Sequence, residues 1–202
     1  MKFEIKRRFT GTVKFTTEIE AQEDAPASVK LRLAVLWAIE NKVDLSNCNL
    51  SGSDLSNCNL RGSNLSGSNL SGSDLSGSDL RGSNLSGSDL RDCNLRGSNL
   101  SGSNLSGSDL SDCDLSDCDL SGSDLRDCDL RGSILRGSNL RVLQTDIWTV
   151  YVQKDTIRIG CQYHSISDWG QFTDGQIANM HRRALIWWKI WKDIIFAIHA
   201  TI

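Results

Sequence analysis

The sequence predicts an all-β solenoid enclosed by two ends that contain strands and helices. Leucine occupies every fifth position from Leu45 to Leu140 without interruption. Trp, Tyr and Phe are absent between Val43 and Arg141, whereas both flanking segments contain them. Ser, Gly, Asp and Asn fill most positions between the leucines, and Gly, Asp and Asn tolerate the backbone conformations of tight turns.

A five-residue period fits neither an α-helix nor a flat strand. Successive leucines would be rotated by roughly 140° on a helix, and they would alternate between the two faces of a straight strand. The chain must therefore bend once in every five residues. Within each unit, a small residue and the Leu point inward, the Asp or Asn between them points outward, and the last two residues form a corner. Bends repeated in one sense give stacked coils around a dry leucine interior.

Units such as SGSDL, RGSNL and SDCDL resemble the pentapeptide repeat family, whose motif is a small residue, Asp or Asn, Leu or Phe, and two freer positions. The resemblance covers about half of the chain. It implies a right-handed quadrilateral β-helix with four units in each coil and about five coils. One core column of this helix would contain Leu45, Leu65, Leu85, Leu105 and Leu125. A disordered Gly/Ser linker is disfavoured, because a linker does not need a strict leucine period.

The domain organisation follows from these boundaries, since an open solenoid needs a cover at each end. Residues 1–42 are predicted to form an N-terminal cap, residues 43–141 the repeat β-helix, and residues 142–202 a C-terminal cap. The N-terminal cap is expected to contain two strands and a helix with Ser28 as its N-cap. Trp37 is expected to cover the leucine column rather than to bind a ligand.

The C-terminal cap is predicted to contain a hairpin and one long helix. Two β-rich runs surround Lys154 and Asp155, and we expect this hairpin to extend the last coil. Thr173 and Gln176 form a capping-box pattern before a helix of about 25 residues. The stretch GCQYHSISDWGQFTDGQIANMHRRALIWWKIWK resembles the tail of phage and prophage members of the family.

Composition excludes several function classes. The formal net charge is −3, so no global attraction to nucleic acid or anionic membrane is expected. The repeat arginines form no continuous stripe and the repeats lack aromatic residues, which disfavours nucleic-acid binding. The N-terminus lacks the apolar run of a signal peptide, and no apolar stretch suits a membrane span, so we expect a soluble cytoplasmic protein. No Ser, His and Asp pattern indicates catalysis, so neither enzymatic activity nor a cofactor is expected.

Acidic residues concentrate near the end of the repeats and are predicted to form a belt around the solenoid. A solvated, solubilising surface is the favoured interpretation, and a weak divalent-cation site is the alternative. The members of this acidic belt are Asp109, Asp112, Asp114, Asp117, Asp119, Asp124, Asp127 and Asp129.

Six of the seven cysteines occupy the inward small-residue position and are expected to be reduced, packed thiols. Cys93 and Cys113 would lie one above the other, but parallel side-chain directions disfavour a disulfide between them. Cys161 and His164 have a metal-like spacing. A tetrahedral zinc site needs two more ligands, so packing within the cap is the favoured role, and no metal is assigned.

The sequence therefore favours a non-enzymatic structural or protein-interaction rod with an unspecified protein partner. The alternative is a DNA mimic that binds a type II topoisomerase, because the resembled family includes members that protect DNA gyrase. Two features oppose mimicry. The outward residues that would stack from coil to coil are a mixture of Asp and neutral Asn, and Arg residues interrupt the acidic surface.

The C-terminal helix is expected to form a homodimer. On a helical projection, one apolar stripe contains Ile177, Met180, Ala184, Trp187, Trp188, Trp191, Ile194, Ile195, Ile198 and Ile202. Four further apolar residues lie outside it and are the dimer-interface candidates: Leu185, Ile186, Ile190 and Phe196. Burial within the same chain and docking onto a membrane are the alternatives. Membrane docking is disfavoured because the helix adjoins an ordered hairpin.

Overall fold

The computed structural model describes residues 1–201 of the 202-residue chain. The chain forms two compact units. The repeat unit comprises Met1–Ser138, and the C-terminal unit begins at Asn139. The N-terminal segment therefore belongs to the same compact unit as the repeats that follow it.

The N-terminal segment contains the predicted strands and helix. Strands β1 (Lys2–Lys6) and β2 (Val13–Glu18) pair antiparallel, and helix α1 spans Ala27–Glu40. The prediction of Ser28 as the N-cap was wrong, because Pro26 is the N-cap and Ser28 lies inside the first turn. Proline lacks an amide hydrogen, which the start of a helix does not need, while its carbonyl accepts the first helical hydrogen bond.

The repeats form a regular ladder of single parallel bridges between residues that lie twenty positions apart. The first such pair is Asn49 with Asn69, and the last is Asp114 with Ile134. One bridge follows every five residues, so each twenty-residue coil makes four. Each coil is thus bonded to the next on four sides by backbone hydrogen bonds, for example from Leu85 N–H to the carbonyl of Asn104 at 2.7 Å.

The corners explain the residues between the leucines. From Ser53 to Ser138, the N–H of each inward small residue closes a turn by donating to the carbonyl of the leucine three residues earlier, as in Ser88 to Leu85 at 3.0 Å. The second corner residue has a positive φ, for example 64° at Gly87 and 59° at Asp112. Gly, Asn and Asp adopt this left-handed conformation at the lowest cost, which accounts for their exclusive use there.

The interior is filled by leucines and small side chains. Every repeat leucine from Leu45 to Leu125 is at most 4% exposed. This range includes the column Leu45, Leu65, Leu85, Leu105 and Leu125. Most of the inward side chains donate to a leucine carbonyl. Many serines use the leucine three residues earlier, as in Ser78 Oγ to Leu75 at 2.6 Å, whereas Cys93, Cys113, Cys118 and Cys128 use a leucine of the preceding coil, as in Cys113 Sγ to Leu90 at 2.7 Å. Both Ser and Cys fit this inward position, because both are small and both can donate one hydrogen to a nearby leucine carbonyl.

The first coil is paired on its free edge by the segment after β1. Arg7 forms an antiparallel bridge with Cys48. Arg8 N–H donates to the carbonyl of Asn47 at 2.7 Å, which continues this pairing. Trp37 of α1 is half-buried and stacks on Phe15 of β2, with 6.2 Å between the ring centroids.

The C-terminal unit begins with a four-stranded antiparallel sheet whose strands follow chain order. The strands are β3 (Arg141–Gln144), β4 (Thr149–Val152), β5 (Thr156–Ile159) and β6 (Gln162–Ser165). The predicted hairpin corresponds to β4 and β5, and the sheet has one further strand on each side of it.

Three helices follow the sheet: α2 (Ile166–Gln171), α3 (Asp174–Met180) and α4 (Ala184–His199). The capping box of Thr173 and Gln176 is confirmed at the start of α3. The prediction of one helix of about 25 residues was wrong, because His181 is extended and separates α3 from α4. The Trp148 ring packs edge-on against His181 at 5.3 Å and Trp187 at 5.0 Å, and these contacts favour the break.

Candidate interaction surfaces

The outward Asp and Asn side chains of the repeats mainly hold the corners in place. The Oδ1 of Asn104 accepts hydrogen bonds from the N–H of Ser106 at 3.0 Å and from its hydroxyl at 2.7 Å. Asp109 makes the same pair of contacts with Ser111. This local arrangement is an Asx turn, so most polar atoms of the four faces have a structural role.

The acidic belt divides into two structural groups. The members at outward positions accept hydrogen bonds from the residue two positions later: Asp109, Asp114, Asp119, Asp124 and Asp129. The members at corners have a left-handed backbone: Asp112, Asp117 and Asp127. The structure thus gives every member a conformational role at its own position.

Arginines from neighbouring coils neutralise part of this belt. Arg96 approaches Asp117 at 3.5 Å, and Arg91 approaches Asp109 at 3.8 Å. The hydrogen bonds from Arg131 hold the pKa of Asp129 below its ordinary value. Within residues 1–201, no three His, Cys, Asp or Glu side chains are grouped so that they could hold a metal ion.

One acidic column is continuous. Asp89, Asp109 and Asp129 follow one another through parallel bridges on a single side of the solenoid. Asp89 is only 5% exposed, and hydrogen bonding from Arg91 lowers its pKa. Arg8 adds a second ion pair to the same carboxylate. The column therefore carries alternating acid and base rather than uncompensated negative charge.

The cysteines of the repeats are packed as thiols. Hydrogen bonding with Cys93, together with burial, raises the pKa of the Cys113 thiol, and burial raises that of Cys48 to about 11. Such thiols stay protonated at neutral pH, so they are poor nucleophiles and poor metal ligands.

Cys161 and His164 occupy different environments. Cys161 is exposed, whereas the His164 ring is half-buried and packs edge-on against Trp169 at 5.3 Å and Phe172 at 4.9 Å. The imidazole therefore forms part of an aromatic cluster beneath α2.

Helix α4 carries the largest exposed apolar surface of the C-terminal unit. Ile186 is 72% exposed, Ile190 is 62% exposed and Ile194 is 45% exposed, and these three residues follow one another at four-residue spacing. The other two dimer-interface candidates, Leu185 and Phe196, are partly buried against the unit's own core. We call Ile186, Ile190 and Ile194 the isoleucine stripe.

The opposite side of α4 forms the core of the unit, as the helical projection predicts. Ala184, Trp187, Trp188 and Ile195 are buried there, and Ile177 of α3 is buried with them. Met180, Trp191 and Ile198 are partly buried against the same core. Ile194 was predicted to face inward and is exposed instead. The remaining predicted member, Ile202, lies outside the described residues.

The twenty-residue ladder, the leucine interior and the left-handed corners define a solenoid repeat protein. The family model described as pentapeptide repeats matches eight copies over residues 41–82, 73–112 and 113–141, which together span half of the chain. The chain belongs to the pentapeptide repeat family, whose fold is a right-handed quadrilateral β-helix.

Solved structures similar to the chain include other pentapeptide repeat proteins. One from the cyanobacterium Cyanothece 51142 is 31% identical, with a TM-score of 0.37, over 48% of this chain and 63% of that protein. One from the thylakoid lumen of Arabidopsis thaliana is 28% identical, with a TM-score of 0.39, over 51% and 69% of the two chains. The chain thus spans less than two thirds of the cyanobacterial protein's length.

A third similar structure is QnrB1, a plasmid-mediated fluoroquinolone resistance protein. It is 23% identical, with a TM-score of 0.32, over 46% of this chain and 47% of that one. A comparison with curated proteins found no match. None of the helices in residues 1–201 has the length and apolar character needed to cross a lipid bilayer.

Proposed function

We propose that the chain is a non-enzymatic structural and protein-interaction solenoid that acts in the cytoplasm. The twenty-residue bridge spacing supports a rod of about five coils within residues 43–141. All seven cysteines are thiols rather than disulfides, which supports a reducing compartment. The outward polar side chains hold the corners, so the rod serves as a rigid support whose partner contacts lie on its surface.

The observation that carries the interaction role is the isoleucine stripe. Large apolar side chains exposed side by side on an otherwise amphipathic helix mark a protein contact. A second copy of the chain is the occupant that the surrounding charges support. Lys189 and Asp193 border the stripe, so an antiparallel pair of α4 helices would place opposite charges against each other across a two-fold axis. Lys189 also pairs with Asp174 of its own chain at 3.0 Å, so it would be shared between the two carboxylates.

Light scattering tests this homodimer at protein concentrations of tens of micromolar. We expect about twice the chain mass of 22.3 kDa for the wild type. The double variant Ile186→Lys/Ile190→Lys should have the mass of a monomer, with an unchanged far-UV spectrum. The variant Ala178→Lys/Asn179→Lys adds two exposed lysines on α3 and should remain dimeric. A monomeric wild type contradicts self-association, and vesicle binding by the wild type that the double variant loses would indicate membrane docking instead.

The DNA mimic that binds a type II topoisomerase is the second candidate function. The continuous column of Asp89, Asp109 and Asp129 favours it, because strand spacing places these carboxylates about 4.8 Å apart. The arginine pairs on that column oppose it. Supercoiling by gyrase with and without a quinolone, at micromolar protein, separates the two functions. Inhibition or protection that is lost in Asp109→Asn supports mimicry, whereas no effect in either assay removes it.

A further inference from the structure

The C-terminal unit contains a cavity lined by aromatic residues, and none of the three residues of the isoleucine stripe lines it. Its volume is about 90 Å³, and four tryptophans line it: Trp148, Trp169, Trp187 and Trp188. It lies where the turn between β5 and β6 meets the junction of α3 and α4. Two of its other lining residues, Cys161 and His181, are exposed, so they mark the side that opens to solvent.

Two irregularities of the chain build this cavity. The first is Gly160, whose φ of 56° turns the chain between β5 and β6. A Cβ at this position would lie 2.8 Å from Cδ1 of Trp148, so only glycine lets the indole pack against the turn. The second is the extended residue His181, which interrupts the helix and contacts the same indole. The Trp148 indole therefore forms one wall of the cavity and is packed between Gly160 and His181.

The lining determines which ligands the cavity can accept. None of its lining residues is Asp, Glu, Lys or Arg. Two indole N–H groups are already bonded, from Trp169 to the carbonyl of Ile157 at 2.8 Å and from Trp187 to the hydroxyl of Thr145 at 3.0 Å. An ion would lose its hydration here without a counter-charge, so a charged ligand is disfavoured. Aromatic rings favour a further ring in edge-to-face or offset contact.

We propose that this cavity is a binding site for a small uncharged aromatic molecule of about one ring. An apolar cavity of about 150 Å³ lined by aliphatic and aromatic side chains holds benzene, and this smaller cavity gains room from its open side. Gln162 and His181 stand among the lining residues and provide hydrogen-bonding groups for one hydroxyl or amine of the ligand.

Phenol is a suitable probe, with binding measured by calorimetry on the full chain. We expect saturable binding with one phenol per chain. Ala184 is buried in the lining, and Ala184→Leu should fill the cavity and raise the Kd at least about tenfold. Ala178→Leu makes the same change on the exposed face of α3 and should leave the Kd within about twofold. Equal binding by both variants would overturn the proposal.

Charged probes test the predicted selectivity. Tetramethylammonium would be attracted to the indole faces, and benzoate has the ring of phenol with a negative charge. Neither should displace phenol at concentrations where phenol saturates the site. Displacement by tetramethylammonium would show a cation cage and overturn the proposed ligand class, as would displacement by benzoate.

A measurement on the unmodified protein keeps the proposal testable if Ala184→Leu fails to fold. Cys161 is exposed at the cavity, so iodoacetamide should alkylate it, and mass spectrometry can follow the rate. Bound phenol should slow this reaction, with half-maximal protection at the phenol concentration that equals the calorimetric Kd. An unchanged alkylation rate at saturating phenol would place the phenol elsewhere and refute the site.

Discussion

The guanidinium of Arg8 lies 3.2 Å from the carboxylate of Asp89, although 81 positions separate the two residues. The same side chain donates to the carbonyls of Gly67 at 3.3 Å and Gly87 at 3.5 Å. Arg8 therefore crosses from the coil that its backbone contacts to the two coils that follow. One side chain fastens the N-terminal segment to a long section of the ladder.

Arg8→Met should lower the free energy of unfolding of the repeat unit by about 1–3 kcal/mol, because it removes charge-assisted hydrogen bonds to a buried carboxylate. Urea unfolding followed by circular dichroism measures the change. The neighbouring side chain of Arg7 is exposed, and Arg7→Met is the matched control with a change within about 0.5 kcal/mol. Equal effects of the two substitutions would show that the contact between Arg8 and Asp89 contributes nothing.

Leu85→Asp and Leu105→Asp should each unfold the repeat unit or destabilise it by about 4 kcal/mol or more, because each buries a carboxylate without a partner between coils. Both leucines are at most 1% exposed. Thermal melting by circular dichroism gives the readout. Ser86→Asp places the same charge on the outer surface one residue away and should melt within a few degrees of the wild type. A wild-type melting curve for either leucine variant would contradict an inward leucine column.

Lowering the pH should reduce the stability of the repeat unit, because the carboxylate of Asp79 becomes protonated. Hydrogen bonds from Arg81 lower the pKa of Asp79 from 3.8 to about 2. The carboxyl group of Asp79 has a lower pKa in the folded protein than in the unfolded chain, where it is about 4. Its ionised form therefore stabilises the folded state fully above about pH 4, and this stabilisation is lost as the pH falls to about 2. The melting temperature of Arg81→Gln should therefore differ most from the wild type at neutral pH and converge on it near pH 2.

Arg61 provides the control for this titration, because it occupies the same place one coil earlier, where neutral Asn59 replaces the acid. Its charge also lowers the pKa of Asp79, but it is the weakest of the contributions that do so. Arg61→Gln should show a much smaller pH-dependent difference. A difference for Arg81→Gln that stays constant from pH 7 to pH 2 would mean that the ion pair does not set the pKa of Asp79.

Gly160→Ala should destabilise the C-terminal unit by about 2 kcal/mol or more, since it combines left-handed strain with a collision against Trp148. Five of the six tryptophans lie between Trp148 and Trp191, so their fluorescence reports this unit during unfolding. Gly11 of the repeat unit has a similar φ of 66° in open space, so Gly11→Ala should cost only about 1 kcal/mol, measured for that unit by circular dichroism. A stability loss at Gly160 no greater than at Gly11 would show that the indole moves aside freely.

The sequence could predict the bends and the inward leucines of the repeats because these features depend on local geometry. A period of five admits only a chain that bends at every unit, and the leucines, corners and inward small residues all follow from it. The ion-pair partners of the acidic belt are harder to see in the sequence, where Arg126 is the only basic residue between Asp109 and Asp129. Arg126 and Arg131 pair locally with Asp124 and Asp129. Two further arginines, Arg91 and Arg96, come from the preceding coil and become neighbours of the belt only after stacking.

The C-terminal unit was harder to predict because tertiary packing overrides its local pattern. Apolar residues continue through the α3–α4 junction with helical spacing, yet His181 is extended where Trp148 packs against it. The outer strands β3 and β6 pair with the central hairpin of β4 and β5, and this pairing joins segments that the local pattern does not link. The second capping box, of Ser165 and Asp168, was visible in the sequence as a Ser-x-x-Asp pattern and indicates the start of α2.

The ladder also sets a rule for how such a rod can change its length during evolution. Adding or removing one five-residue unit would turn everything beyond it by about a quarter revolution, because four units complete a coil. Asp89 would then stand on an adjacent side, out of reach of Arg8. A duplication or deletion of twenty residues preserves the phase and changes only the height. Rods of this kind can therefore grow in whole-coil steps while the same N-terminal contacts are kept.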